Sequence, residues 1–215
     1  MRVVSVNVGL PQEIAWQGQR VRTSIFKQPV AGPVQVLAEH LAGDGQADLR
    51  VHGGPDKAVY AYPLEHYDFW QRHVPPALLV PGAFGENLTT TGLLESAVRV
   101  GACYRMGTAV LMAVQPRRPC AKLGIRLNDA GMTKRFEEAR RSGIYFRVVR
   151  EGVLRAGDAV ALVEPGPLAV TIQDMVDAHT LPDRDPRKIQ EILRLPTLSP
   201  SWRERFERLL AHGNR

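Results

Sequence analysis

Thr108-Ala109-Val110-Leu111-Met112-Ala113-Val114-Gln115-Pro116-Arg117-Arg118-Pro119-Cys120-Ala121-Lys122-Leu123 joins a core strand to a reactive side chain. Residues 108–114 are an apolar run of strand length and read as a buried strand. Two prolines then stop regular pairing, because proline has no N–H to give to a sheet. Cys120 is thereby placed on a stiff loop, with Arg117, Arg118 and Lys122 around it. Neighbouring cations ease the ionisation of a thiol, and the thiolate is the form that attacks or ligates a metal. The same residues also fit a plainer role, a small apolar cysteine packed under a loop.

On either side of this stretch the chain reads as short strands with turn signals at close spacing, the pattern of a barrel or sandwich. Residues 2–8 alternate valine with polar residues, and 21–26, 34–37, 58–62, 98–100, 103–105, 144–150 and 159–163 are further strand candidates. Cys103 lies inside a hairpin-like part of this series and takes a structural role. Pro63 opens a helix over 64–71, with Leu64, Tyr67 and Trp70 inward and His66 and His73 in solvent. Asp129 caps a second helix running to about Ser142, with Phe136 and Ala139 inward. Composition changes at Pro165-Gly166-Pro167, and three short helices follow. Thr171 with Asp174 forms a capping box for the first of them. The division expected is a β domain over 1–165 and a helical unit over 166–215 packed on it, since about fifty residues of this kind are marginal alone.

Composition narrows the classes. A chain of 215 residues allows one substantial core with a small appendage. No apolar run approaches the ~20 residues that span a bilayer. The start, Met1-Arg2-Val3-Val4-Ser5-Val6, goes straight into a strand pattern without the features of a signal peptide, so a cytoplasmic protein is expected. Two cysteines are too few for a disulfide framework or for an iron–sulfur cluster of about four thiolates. A net charge of +6 favours anionic partners such as phosphates, nucleotides or nucleic acid.

Two polar loops stand out. In His52-Gly53-Gly54-Pro55-Asp56-Lys57 the glycines let backbone approach a ligand, and successive N–H groups can form an anion-binding nest. A tight turn with a surface histidine fits the same residues. Phe84-Gly85-Glu86-Asn87-Leu88 is glycine-flanked, and Asn87 offers both donors and acceptors.

These loops carry a resemblance. Gly43-Asp44-Gly45-Gln46-Ala47-Asp48, Val51 to Ala58, Tyr62-Pro63 and Glu65-His66-Tyr67 resemble the MOSC domain, the molybdenum-cofactor sulfurase C-terminal domain. Residues 84–88 match its second motif, and Gln115-Pro116-Arg117 with Pro119-Cys120 its third, the cysteine motif. The helical tail, with Leu198-Ser199 and Ser201-Trp202, is similar to that of the YiiM-type branch. The resemblance implies a mainly β (α+β) fold, a MOSC-type β-barrel with a few peripheral helices and a small C-terminal three-helix bundle. It implies binding of the molybdenum cofactor (molybdopterin) and reduction of N-hydroxylated bases such as 6-hydroxylaminopurine. Cys120 falls on the family's cysteine, as molybdenum ligand or as sulfur carrier.

The chemistry then assigns roles. On that resemblance a thiolate at Cys120 suits a soft metal centre, and His52 or Asp56 is the expected proton donor. His52, Gly53, Gly54, Lys57, Phe84, Gly85, Asn87, Arg117, Arg118 and Lys122 form the cradle for a phosphate and a polar pterin. His52, Asn87 and Cys120 are expected to converge on one cleft. The chain has no cluster motif and no G-x-G-x-x-G fingerprint, so electrons must come from an external redox partner, a flavin reductase or a ferredoxin-like protein. Two other readings stay open: a persulfide carrier on Cys120, and a nucleic-acid or anion binding module using Arg203, Arg205 and Arg208, which more simply form a solvated helix face.

Overall fold

Val59–Pro63 is buried along its whole length, and its side chains serve two cores. In a strand, successive side chains point to opposite faces. Val59 and Ala61 accordingly join the larger aliphatic core, while Tyr60 and Tyr62 join a smaller aromatic one. Its neighbour Ile144–Arg150 divides in the same way, with Ile144 and Phe146 on the first side and Tyr145 on the second.

The computed structural model describes residues 1–47 and 53–212. The strands are β1 (Arg2–Val8), β2 (Gln12–Trp16), β3 (Gln19–Thr23), β4 (Gln28–Pro29), β5 (Val34–Val36), β6 (Val59–Pro63), β7 (Leu88–Thr91), β8 (Cys103–Met106), β9 (Ala109–Pro116), β10 (Ile144–Arg150), β11 (Gly152–Leu154) and β12 (Val160–Glu164). The helices are α1 (Glu65–Trp70), α2 (Ala121–Leu127), α3 (Met132–Ala139), α4 (Ile172–Thr180), α5 (Pro186–Leu193) and α6 (Pro200–His212). No helix among the described residues is long and apolar enough to cross a membrane.

Eight strands form one sheet in the order β12-β8-β9-β10-β6-β7-β1-β4, antiparallel except for β6 beside β7. The sheet curls until β1 meets the residues that precede β12. Arg2 bridges Ala159, Val3 N–H reaches Asp158 O at 2.9 Å, and Gly157 N–H reaches Val3 O at 2.8 Å. That contact is a short bridge rather than a ladder, so the expected mainly β fold is present but its barrel is not fully closed.

Helices α1, α2 and α3 cover one face over the aromatic core. Trp70 stacks on Phe136 with ring centroids 5.8 Å apart and donates Nε1–H to the Tyr62 hydroxyl at 2.7 Å. Such edges and stacks add to area burial, and the indole N–H is satisfied inside the cluster. The tail does not form a core of its own. Ile172, Met175, Ile189, Ile192, Trp202 and Phe206 share the aliphatic core with Val98, Val100 and Ala102. The capping box is present, with Thr171 N–H on Asp174 Oδ2 at 2.8 Å and Asp174 N–H on Thr171 Oγ1 at 3.0 Å. Ser199 Oγ donates to Gln115 Oε1 at 2.7 Å, tying the tail to the end of β9.

Several local expectations fail for tertiary reasons. His66 is buried rather than solvated: Glu95 Oε2 lies 2.7 Å from Nε2, and Arg141 donates to Nδ1 at 3.0 Å. Those partners set the hydrogen on Nε2. Pro63 ends β6 instead of opening α1. Asp129 does not cap α3. Its carboxylate takes the Gly131 N–H at 2.9 Å and Arg135, and the helix stops at Ala139 because Arg140 turns to φ 52°. Helix α2 covers residues 121–127, a stretch that starts within the expected Cys120 loop. Val98–Val100 is a turn bridged to the tail, not a strand.

His179 of α4 sits where the tail meets α3. Burial, with Arg205, Arg118 and Arg184 nearby, pushes its pKa down to about 4, and its nearest acid is Glu137, with Oε1 3.9 Å from Nε2. The fold therefore favours the neutral ring. Between about pH 4 and 6.5 the unfolded chain binds a proton that the folded chain refuses, so stability falls as pH drops through that window. Urea melts at pH 7 and 4.5 should show a loss of about 1–2 kcal/mol, discounted for solvent screening, that His179→Phe removes.

Candidate functional site: a cationic cleft at Cys120

Pro116 ends β9, and Pro119 holds the chain extended into Cys120, whose backbone (φ −134°, ψ 166°) is the N-cap of α2. The thiol makes no cap hydrogen bond and is half-buried. It opens onto a cleft of about 590 Å³, counted out to its solvent mouth and walled by Thr23, Ser24, Ile25, Lys27, Asp44–Ala47, Lys57, Tyr60, Asn87, Arg117, Lys122 and Tyr145, among others. Neither cysteine is in a disulfide, and Cys103 is buried in β8.

Arg117 is buried behind the cysteine. Its guanidinium lies 4.8 Å over the Tyr60 ring and donates Nη1–H to the Phe84 carbonyl. Gly85 makes room for it. At φ +73° a side chain there is strained, and its Cβ would stand 2.8 Å from Ile25 Cγ1 and 3.6 Å from Arg117 Nη1. Tyr60 and Tyr145 pack with ring centroids 5.0 Å apart and planes tilted by 39°, and burial pushes both phenols up, so both keep their protons. Tyr60 spends its hydroxyl hydrogen on Ser142 O at 2.7 Å.

Across the cleft lies a pair that sequence reading missed. The Lys27 ammonium bonds Asp44 Oδ1, which also accepts Gly9 N–H at 2.8 Å. Asp44 Oδ2 accepts Asn87 Nδ2–H at 2.8 Å, and Asn87 Oδ1 accepts Tyr60 N–H at 3.1 Å. Burial lowers the Lys27 pKa, and Asp44 opposes that shift. A charge pair this buried is costly to break by halves. Lys27→Met should destabilise the fold by about 2–4 kcal/mol, and Lys27→Met with Asp44→Asn should regain more than half of that, a non-additivity read from a double-mutant cycle by urea unfolding.

The structure brings Cys120, Lys57, Gly85, Asn87, Arg117 and Lys122 to one wall system. Gly53, Gly54, Asp56, Phe84 and Arg118 are not part of it. Gly54 (φ 89°) leads into a 3₁₀ turn, Pro55–Lys57, that delivers Lys57. Asp56 is engaged by Arg147, with Nε at 2.8 Å. Phe84 is fully buried in the aromatic core, and Arg118 faces the tail instead. His52 lies outside the described residues. Asp44 stood in the Gly-Asp-Gly motif, whereas Lys27, a lone cation after Ile25-Phe26, carried no local signal.

Among the described wall residues, Lys27, Lys57, Lys122 and Arg117 face Asp44 alone as an acid. Such a surplus suits a phosphate-bearing ligand. The described residues hold no group of three or more His, Cys, Asp or Glu side chains placed to bind a metal together. A thiol beside a cationic cleft fits a metal that arrives with most of its own ligands, so the residues present fit a molybdopterin-type group.

A family profile described as "MOSC domain" matches residues 48–161, and one described as "YiiM-like, 3-alpha helix domain" matches 170–213. The crystal structure of YiiM from Geobacillus stearothermophilus superposes with a TM-score of 0.79 at 36% identity, covering 97% of this chain and 98% of that one. The uncharacterized protein YflK of Bacillus subtilis (strain 168) is 39% identical over 206 residues, 95% of this chain and 92% of its own. A protein of Gibberella moniliformis named "Reductase" is 37% identical over 150 residues, 68% of this chain but 27% of its own length. The chain belongs to the MOSC domain family. Within it the three-helix tail and the YiiM match put it in the YiiM-type branch.

Proposed function

We propose that the chain holds the molybdenum cofactor in this cleft through Cys120 and reduces N-hydroxylated bases with electrons from a separate redox protein. The observation that carries the proposal is the half-buried Cys120 thiol on the wall of a cleft whose described charges are four cations and one carboxylate. The MOSC family is associated with this cofactor, and a relative carries the name reductase. The balanced change is R–NHOH + 2e⁻ + 2H⁺ → R–NH2 + H2O. When bound, the cofactor supplies the two-electron centre that this change needs.

The chain's own groups do the rest. Lys27, Lys57, Lys122 and Arg117 hold the anionic end of the ligand. Asp44 and Asn87 fix one wall, and the tilted Tyr60 and Tyr145 rings form part of another. Asp56, engaged by Arg147 and away from the cleft wall, is not available to deliver a proton there. The cytoplasm is the expected compartment.

The test uses protein made in a host that synthesises the cofactor. Mass spectrometry should find molybdenum near one per chain. Turnover of 6-hydroxylaminopurine should be near zero with NADH alone and restored by a flavin reductase or ferredoxin-type donor, with a rate that falls as salt rises. Molybdenum-free protein carrying cyanolysable sulfur would favour the sulfur-carrier reading. Full activity with NADH and the chain alone would remove the partner.

A further inference from the structure

Arg118 stands two residues before Cys120 and turns from the cleft toward the helical tail, where it lines a small cavity with His179 and Trp202. Arg205 comes one turn after Trp202 on α6, and Arg208 one turn after Arg205, so the three are neighbours along one flank of the helix. Arg184, in the turn between α4 and α5, completes the group. Besides burial, Arg205, Arg118 and Arg184 all act on His179. Burial, and after it the charges of Arg118 and Arg208, hold the Arg205 pKa below its usual value against Glu137 and Glu204. Four guanidinium groups thus gather where they repel one another.

The chain itself does not answer this charge. Among the described residues no carboxylate forms an ion pair with Arg118, Arg184 or Arg205. The acids nearby are engaged elsewhere: Asp177 takes Arg140 at 3.0 Å, and Glu204 lies 3.8 Å from Arg208. Arg203 of the same helix is not part of the group, because its guanidinium holds Leu193 O at 2.8 Å and Leu195 O at 3.0 Å. A cationic cluster without its own counter-charge attracts an acidic surface from outside.

Its place narrows the partner. Arg117 lines both the Cys120 cleft and the cavity beside Arg118, and Arg118 also lowers the Lys57 pKa, after burial and against Asp56. The cluster is therefore continuous with the charge of the cleft. A single strand of nucleic acid needs exposed aromatic platforms, and Trp202 and Phe206 of this region are buried. Electron-transfer encounters, by contrast, are small, weak and steered by charge. We propose that Arg118, Arg184, Arg205 and Arg208 form the docking surface for the acidic face of the electron donor, an iron–sulfur or flavin carrier protein. The inference rests on the reading of the Cys120 cleft as a reductase centre. In balance, two reduced one-electron carriers give up one electron each, two protons enter from water, and R–NHOH becomes R–NH2 and H2O.

The experiment has two arms. The first measures binding of the full chain to a ferredoxin, to a flavodoxin and to a single-stranded oligonucleotide, at low and high salt. At least one carrier should bind saturably and weaken as salt rises, and Arg118→Glu and Arg205→Glu should each weaken it about tenfold. Arg105→Glu, exposed on β8 and outside the cluster, should have a much smaller effect. The second arm measures turnover of an N-hydroxylated base by cofactor-loaded chain. With the carrier as donor, Arg205→Glu should raise the carrier concentration for half-maximal rate about tenfold and leave the maximal rate. With dithionite-reduced methyl viologen, a small donor that needs no docking surface, Arg205→Glu should match the parent chain. Thermal unfolding of each variant separates lost docking from lost folding. No turnover with methyl viologen in the parent would end the reductase reading, and this surface with it. Turnover with methyl viologen but binding to neither carrier overturns the surface alone. So does carrier binding that Arg118→Glu and Arg205→Glu leave unchanged, or an oligonucleotide bound more tightly than either carrier.

Discussion

Cys120→Ala is expected to strip molybdenum from protein made in a cofactor-competent host and to lower turnover of an N-hydroxylated base by a hundredfold or more, with folding almost untouched. The first half follows from ligand chemistry. Losing a group that merely supports a metal ligand costs about 10–100-fold, and losing the ligand itself should cost at least that. The second half follows from position. The side chain is small and half-buried, so trimming it to alanine should change stability by no more than about 1 kcal/mol. Cys120→Ser sharpens the test. Its hydroxyl is a hard, weak ligand for a soft centre, yet serine is a preferred N-cap and the backbone at this position is extended, as an N-cap requires. Serine should therefore stabilise α2 by up to about 1 kcal/mol while it loses the metal. Opposite movement of metal content and melting temperature separates a ligand from a structural cysteine. Full metal content in both variants would remove Cys120 from the site.

What could be read in advance divides along a physical line. Local pattern placed β1, β6, β9 and β10, because burial on a sheet repeats every second residue, and the Thr171–Asp174 box is a local device. Helix α2 was hidden because it is short and carries Gly124 at its centre. That glycine has a tertiary cause: a Cβ there would stand 2.7 Å from Asp129 O. Partners distant in sequence decided the rest. Lys27 is buried because Asp44 answers its charge, and His66 because Glu95 and Arg141 take its two nitrogens. A lone lysine or histidine has no period, so nothing local foretells that it goes inside. The glycine- and proline-bounded loops were legible as loops, and Asn87 and Cys120 do line one cleft. Which of their side chains face it was not legible. Asn87 is held there by Asp44 and Tyr60, Asp56 is drawn to Arg147, and Phe84 turns into the aromatic core.

Glu86→Ala is expected to be the most destabilising single change in the cleft's supporting loop, at about 3–5 kcal/mol. The carboxylate is fully buried, and every partner it has is a donor. Oε1 accepts Gly82 N–H at 2.8 Å, Thr89 Oγ1–H at 2.9 Å and the Tyr67 hydroxyl, and Oε2 accepts Phe84 N–H at 3.0 Å. Burial pushes the carboxyl pKa up, and these donors pull it back. Alanine takes the acceptor from four donors, of which only the Tyr67 hydroxyl has another in reach, Val80 O at 3.2 Å, and each unmade bond to a charged group costs about 1.5–3 kcal/mol before relaxation. Tyr67→Phe removes one donor and leaves three, so about 1–2 kcal/mol is expected for it. The double variant should cost clearly less than the sum, because both single changes break the same bond. The loop so held presents Gly85 beneath Arg117 and Asn87 beside Asp44. Glu86→Ala should therefore also weaken cofactor retention without touching the ligand, whereas Tyr67→Phe should not. Urea unfolding gives the energies, and an unchanged m-value would show that the compact state itself is preserved. A loss below about 1 kcal/mol for Glu86→Ala would mean that the loop refolds around the missing carboxylate, and would end its role as the support of the site.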